Sequence, residues 1–203
     1  MRELVESLKQ AGVLKTPRII SAFLANDRNK FVPAGFEADA YVDAPLPIGE
    51  GQTISQPYTV AFMMELLDPR LGQKILDIGL GSGWTAGILA HIVGEQGKVW
   101  GLEIIPELFE FGKSNLKKLG YKNIKLRNQS GWEGLPEAAP FDRIIAGAAA
   151  RDLGVLLHDA GRGLHRSGER FRLLFAGWQG VQHASGRLHQ LLQEDRPDHE
   201  AEE

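Results

Sequence analysis

The chain has 203 residues, no cysteine and a formal net charge of −3. This length is enough for one α/β domain with a sizeable core, and the lack of cysteine excludes disulfides and thiolate chemistry. No segment approaches the roughly 18 apolar residues of a membrane span. Residues 1–12 alternate charged and apolar side chains at helical spacing, unlike a signal peptide. We therefore expect a cytoplasmic protein.

Helical periodicity marks the N-terminal part of the chain. Residues 2–11 and 17–25 are predicted as two short helices, the second with Thr16 as its N-cap and Pro17 in its first turn. Residues 56–67 are predicted as a third helix because they present an apolar face. That face consists of Val60, Ala61, Met64 and Leu67. These helices would form an N-terminal layer.

Residues 43–60 are rich in glycine and proline. Such residues interrupt helices and strands, so the pattern predicts a long loop. Long ordered loops are usually functional, and this one carries the hydroxyl pair Thr53 and Ser55 just upstream of a glycine-rich motif. A surface connection between the helical layer and the sheet is the alternative interpretation.

Beyond residue 73, short apolar runs alternate with helical segments. Strands are predicted at residues 74–78, 98–103, 123–127, 141–146 and 171–176, and helices at residues 84–93 and 106–119. This alternation indicates βαβ units and a parallel sheet. The predicted fold class is α/β, a Rossmann-like three-layer αβα sandwich with a mostly parallel sheet and an N-terminal helical layer.

A glycine-rich turn follows the first strand of this sheet. In Asp77-Ile78-Gly79-Leu80-Gly81-Ser82-Gly83, glycine lets a ligand approach the backbone, and the helix N-terminus after it favours a negative or polar group. Glu103 ends the second strand twenty residues beyond Gly83, about where a Rossmann acid binds ribose hydroxyls. Together these features indicate a nucleoside cofactor, with a turn beside an empty pocket as the alternative.

Two motifs resemble those of methyltransferases. Leu46-Pro47-Ile48-Gly49 followed by Gly51-Gln52-Thr53-Ile54-Ser55-Gln56-Pro57-Tyr58 resembles the signature loop of the protein-L-isoaspartate O-methyltransferases. The compact glycine turn after Asp77 resembles that of the S-adenosylmethionine-dependent class I methyltransferases. The resemblance covers about residues 1–148. It implies transfer of a methyl group from S-adenosyl-L-methionine to the α-carboxylate of L-isoaspartyl residues, which starts the repair of damaged proteins.

The resemblance also implies roles for particular residues. Ser55 falls on the family's active-site serine and would orient the acceptor carboxylate, not act as a covalent nucleophile, because no histidine pairs with it in the motif. The residues implied in cofactor binding are Thr53, Ile54, Ser55, Asp77, Gly79, Gly81, Gly83, Glu103, Ser130 and Gly131. We expect no metal site, because four C-terminal histidines match no ligand template. These are His158, His165, His183 and His189.

Two features depart from the family. Gln129-Ser130-Gly131 stands where the family carries Gly-Asp-Gly, whose acid helps to hold the adenine, so weaker cofactor binding is expected. Residues 161–168 form an arginine- and glycine-rich run in place of a segment that helps to close the family's peptide site. Two alternative explanations account for this run: a reading-frame change in the coding sequence near residues 150–155, or genuine divergence to a different acceptor. Impaired activity is expected.

These observations predict one methyltransferase domain over residues 1–190 and a charged, disordered tail over residues 191–203. The parts of the domain are the N-terminal helices and substrate loop (1–68), the cofactor-binding core (69–148) and the divergent C-terminal part (149–190). We expect a monomer that acts on isoaspartyl-containing peptides and proteins. Neither a nucleic acid nor a membrane is an expected partner, because the lysines between residues 113 and 125 fit a solvated helix face. A small-molecule methyltransferase and a non-catalytic cofactor-binding homologue are the alternatives.

Overall fold

A computed structural model describes residues 1–131, 134–147 and 172–175 of the chain. The described helices are α1 (Arg2–Gln10), α2 (Pro17–Ala25), α3 (Pro57–Leu67), α4 (Trp84–Val93) and α5 (Pro106–Leu119). The described strands are β1 (Leu46–Gly49), β2 (Gln52–Ile54), β3 (Lys74–Ile78), β4 (Lys98–Glu103), β5 (Ile124–Asn128), β6 (Arg143–Ala146) and β7 (Arg172–Phe175). The four C-terminal histidines, the arginine- and glycine-rich run and the charged tail lie outside these residues.

Five parallel strands form the central sheet, in the order β5-β4-β3-β6-β7. Strands β3 and β4 and helices α4 and α5 have the predicted bounds, while β5 begins one residue later than predicted. β6 begins at Arg143 instead of Phe141, because Asp142 is engaged with Lys74 through both its backbone amide and its carboxylate. The predicted α/β class and parallel sheet are confirmed, and the carboxyl ends of all five strands lie at one edge.

The prediction that residues 43–60 form only a loop is wrong. Within this stretch β1 and β2 pair as an antiparallel hairpin, with Pro47 opposite Thr53. Proline is tolerated there because an edge strand needs no amide donor on its outer side. Gly49, which ends β1, and the two residues that join the strands, Glu50 and Gly51, all have positive φ, which suits the two glycines among them. The hairpin presents the residue that follows it, Ser55, at a defined place.

Thr16 is the N-cap residue of α2, as predicted, but its side chain makes no capping bond to the helix. Its hydroxyl instead donates to Oε2 of Glu65 in α3 at 2.6 Å. Oε1 of Glu65 accepts from the backbone amides of Lys15 and Thr16, both at 2.8 Å. A long-range contact with Glu65 thus takes the place of a side-chain capping bond and connects the start of α2 to α3.

In the described part of the chain, buried side chains form two clusters. The larger joins the N-terminal helices to α3, α4 and α5, and in it the rings of Phe23 and Trp84 meet edge to face at 5.5 Å. The smaller contains Leu76, Trp100 and Phe141. The lysines between residues 113 and 125 are exposed, as predicted. None of the described helices is long and apolar enough to cross a membrane.

Candidate active site

A cavity opens at the carboxyl edge of the sheet, between the hairpin and the glycine turn. Six of the predicted site residues line it: Thr53, Ile54, Ser55, Asp77, Gly79 and Gly81. The other lining residues are Val60, Met63, Leu80, Ser82, Trp84, Thr85, Ile145 and Gly147. The fold therefore brings the hydroxyl-bearing hairpin and the glycine turn, which are more than twenty residues apart in the chain, to one cavity.

Backbone hydrogen bonds connect the glycine turn to β4. The amides of Gly79 and Leu80 both donate to the carbonyl of Leu102 at 2.9 Å. Gly79 and Gly81 have φ of 83° and 51°, which glycine adopts at little cost. Helix α5 packs closely behind the turn, since a Cβ atom added at Gly112 would lie 2.5 Å from the carbonyl oxygen of Gly81. The amides of Gly79 and Leu80 are thus bonded within the protein, and the glycines let a ligand approach the backbone of the turn closely.

Glu103, at the end of β4, supports this turn directly. Its Oε2 accepts from the amide of Gly81 at 2.9 Å, and its Oε1 accepts from the amide of Ile105 at 3.0 Å. The side chain is buried. Each carboxylate oxygen retains a second lone pair, so these two bonds leave acceptor capacity for ligand hydroxyls.

Asp77 is the most unusual titratable group at the cavity. The residue is only 1% exposed, and among the described residues its buried Oδ2 atom has no hydrogen-bond partner. Burial, together with the negative charge of Glu103, raises the pKa of Asp77 from 3.8 to about 8. A buried carboxyl without a partner is costly. A cationic ligand group in the cavity would supply the missing partner.

Ser55 lines the same cavity and lies directly after β2. It is half-buried, and its backbone carbonyl accepts from Nη2 of Arg28 at 3.1 Å. Ile54 beside it is buried, whereas Thr53 is exposed. Among the described residues, no histidine that could activate the Ser55 hydroxyl lines the cavity. The arrangement suits a hydroxyl that orients a ligand.

Four predicted residues do not line the cavity: Gly83, Glu103, Ser130 and Gly131. Gly83 precedes α4 as its N-cap. Ser130 and Gly131 follow β5, whose last residue, Asn128, pairs in register with Glu103. Gly131 packs against β3, since a Cβ atom there would lie 2.3 Å from Cγ2 of Ile78.

Sequence reasoning missed several residues of the site. Thr85 lies in the first turn of α4 and Gly147 directly after β6, so the rule that ligands bind at the carboxyl ends of parallel strands would have found both. Arg28 carries no such signal, because Asp27 and Asn29 flank it and suggest a polar surface turn. In the described part of the chain, no three histidine or acidic side chains are grouped as a metal site requires.

Comparisons with known proteins agree with this geometry. A family model for protein-L-isoaspartate(D-aspartate) O-methyltransferase (PCMT) matches residues 1–160. The chain is 48% identical over 151 residues to the protein-L-isoaspartate O-methyltransferase of Methanopyrus kandleri, across 74% of this chain and 67% of the relative.

Two solved structures are also similar. A protein-L-isoaspartate O-methyltransferase matches with a TM-score of 0.72 and 31% identity, over 78% of this chain and 52% of that one. A putative protein-L-isoaspartate O-methyltransferase from Plasmodium falciparum, in complex with S-adenosyl-L-homocysteine, matches with a TM-score of 0.68 and 27% identity, over 77% of both chains. The chain thus spans about half the length of the first of these structures. By its family match and its identity to relatives, this chain belongs to the protein-L-isoaspartate(D-aspartate) O-methyltransferase family.

Proposed function

We propose that this protein transfers a methyl group from S-adenosyl-L-methionine to the α-carboxylate of L-isoaspartyl residues in damaged proteins. The observation that carries the proposal is one cavity lined by both Asp77, whose Oδ2 atom has no hydrogen-bond partner among the described residues, and Ser55. A cationic cofactor fits the first group, and an acceptor carboxylate fits the second. Family membership supports the choice of acceptor.

The cofactor side of the cavity fits S-adenosyl-L-methionine by charge. That cofactor has an ammonium group, and Asp77 offers a buried acceptor with no other partner among the described residues. Glu103 holds the glycine turn and retains capacity for the ribose hydroxyls. When bound, the cofactor supplies a methyl group already activated by its sulfonium. The protein's own residues therefore have to bind, align and exclude water.

On the acceptor side, Ser55 would donate its hydroxyl hydrogen to the substrate carboxylate and fix the direction from which that carboxylate approaches. A carboxylate is already a nucleophile, so no general base is required. This agrees with a lining that contains no histidine in the part of the chain that the structure describes. We propose isoaspartyl-containing peptides and proteins as the substrate and a cytoplasmic monomer as the working form, with neither nucleic acid nor membrane as partner.

A non-catalytic cofactor-binding protein is the second candidate. The observation that favours it is the family match, which ends at residue 160, so the last part of the chain has no counterpart in that match. Both candidates bind the cofactor, but only the first transfers a methyl group, so an assay of methyl transfer distinguishes between them.

Glu103→Ala is expected to weaken binding of S-adenosylhomocysteine by about tenfold or more, because hydrogen bonds to an ionised group are lost. Titration calorimetry measures this, with Glu107→Ala, an exposed acid at the start of α5, as the matched control. Glu103 has two proposed roles, holding the glycine turn and binding the ribose. An analogue without the ribose 2′-hydroxyl distinguishes between them. If the carboxylate binds the ribose, the parent protein discriminates against the analogue and the variant does not. No heat for the parent at high micromolar ligand would refute cofactor binding.

Ser130→Asp is expected to tighten S-adenosylhomocysteine binding by about tenfold, because it supplies an ionised acceptor where the family has one. Ser130 lies two residues beyond Asn128, whose register partner is Glu103, so the new acid would stand at the same sheet edge. Ser114→Asp on the exposed side of α5 controls for the added charge. Equal or weaker binding by Ser130→Asp would show that the residues after β5 do not face the adenine.

A further inference from the structure

Arg28 is a fully buried arginine in a short 3₁₀ turn, Arg28–Phe31, that follows α2. Long charged side chains are almost never fully buried unless they have dedicated partners. Arg28 does not line the cavity, and no ion pair found among the described residues includes it. Its burial therefore needs another explanation.

Four backbone carbonyls surround the guanidinium. Nη1 donates to Ala40 at 2.9 Å and to Val42 at 3.3 Å, and Nη2 donates to Ala44 at 2.9 Å and to Ser55 at 3.1 Å. The first three acceptors precede the β1–β2 hairpin, and Ser55 follows it. One side chain thus ties together the two ends of the segment that carries the acceptor hydroxyl. The planar fork of arginine suits such divergent acceptors better than the single ammonium of lysine.

Arg28 also contacts the cofactor side of the cavity. Its guanidinium carbon lies 5.4 Å from the ring centroid of Trp84, within the range of a cation–π interaction. Trp84 is the first residue of α4, lines the cavity, and donates from Nε1 to the carbonyl of Asn26 at 2.9 Å. Arg28 therefore lies between the hairpin segment and the helix that begins at the glycine turn.

The charge of Arg28 persists despite its burial. Desolvation lowers its pKa to about 10, opposed by the nearby negative charge of Asp43, so the group remains cationic at neutral pH. Asp43 itself holds the same segment, because its carboxylate accepts from the amide of Tyr58 at 2.8 Å. Hydrogen bonds from a charged donor are stronger than neutral ones, which suits a contact that has to fix a segment containing little regular structure.

We infer that Arg28 is a positioning residue for methyl transfer: it fixes the backbone of Ser55 relative to the glycine turn and so aligns the acceptor with the cofactor. The inference rests on the proposed function for its catalytic consequence. The effect on the hairpin segment itself can be measured independently of turnover.

The test compares Arg28→Lys and Arg28→Ala in the full chain, with Arg2→Ala as the exposed control. Three readouts are needed: amide hydrogen exchange along the chain, binding of S-adenosylhomocysteine, and methyl transfer to an isoaspartyl peptide.

We expect Arg28→Ala to lower kcat on the order of a hundredfold, since a misplacement of about 1 Å has an effect of that size. Arg28→Lys should lose about tenfold, because it keeps the charge but not the fork. Methylguanidinium should partly restore Arg28→Ala.

Exchange in residues 40–56 should rise in both Arg28 variants while the sheet stays protected and cofactor affinity changes by less than about threefold. If Arg28→Ala does not fold, Arg28→Lys carries the test. Unchanged exchange and turnover in Arg28→Lys would overturn the inference, and so would a uniform rise in exchange over the whole chain. If the parent protein shows no turnover but exchange rises locally in the Arg28 variants, the role of Arg28 in fixing the backbone of Ser55 is supported and the proposed function is what fails.

Discussion

Replacing Asp77 by asparagine is expected to stabilise the ligand-free protein at alkaline pH and to weaken cofactor binding by about ten- to a hundredfold at pH 8. The binding loss follows because a neutral amide replaces an ionised acceptor, a difference of about 1.5–3 kcal/mol for a charge-assisted hydrogen bond. The stability gain follows because asparagine cannot ionise. One substitution thus shifts stability and binding in opposite directions.

The pH dependence of this effect has a definite sign. Burial raises the pKa of Asp77 from 3.8 to about 8, so between those values the folded protein keeps a proton that the unfolded chain has lost. The free energy of unfolding of the parent protein therefore falls as pH rises through this window. The Asp77→Asn variant lacks this contribution, because its amide does not titrate. The stability difference between variant and parent should widen from pH 5 to pH 8.

Denaturant unfolding at pH 5, 7 and 9 measures the stability difference, and titration with S-adenosylhomocysteine measures the binding. Asp39→Asn, at an exposed acid, is the matched control. Binding to the parent protein should also release close to one proton at neutral pH, because the ligand ammonium ionises Asp77. Calorimetry in buffers of different ionisation enthalpy detects that proton. A pH-independent stability difference would show that Asp77 is ionised in the folded protein.

Replacing residues 150–190 by the corresponding segment of the Methanopyrus kandleri relative is expected to raise the rate of isoaspartyl methylation on the order of a hundredfold. The family match of this chain ends at residue 160. The hydroxyl of Ser55 and the cofactor side of the cavity are built from residues before that point. The family resemblance implies that this region helps to close the peptide site, so the graft should supply that closure while leaving the described cavity residues unchanged.

Ser55→Ala in the grafted chain should reduce the rate again, which ties the gain to this cavity. Cofactor affinity, measured in parallel, should change little, because the cavity residues proposed to bind the cofactor are the same in both chains. An equal rate for the parent and grafted chains would contradict the view that the C-terminal part limits activity.

Local patterns predicted much of the fold. β3, β4, α4 and α5 have the predicted bounds because short apolar runs and helical periodicity coincide there with glycine or proline punctuation. The β1–β2 hairpin was missed because its prolines and glycines argue against strands, although an edge pair tolerates them. Thr16 holds the predicted N-cap position, but its hydroxyl makes no capping bond because it has a partner in α3, far along the chain.

The site was predicted in part, for similar reasons. The motifs that carry Ser55 and Asp77 are local strings, and the structure brings both to one cavity. Their roles remain predictions. Arg28 could not be found, because its acceptors are 12 to 27 residues further along the chain and no local pattern encodes its burial. The missing partner of Asp77 Oδ2 likewise depends on packing that only the assembled fold shows.

The most direct test of the central claim is transfer of a radiolabelled methyl group to an isoaspartyl peptide beside its normal aspartyl twin. The parent chain and the grafted chain should both label the isoaspartyl peptide and leave the aspartyl peptide unlabelled, the parent chain more slowly. Ser55→Ala should reduce the label in each. Equal labelling of the two peptides would contradict the isoaspartyl assignment, and no label on either peptide from a chain that binds the cofactor would contradict catalysis itself.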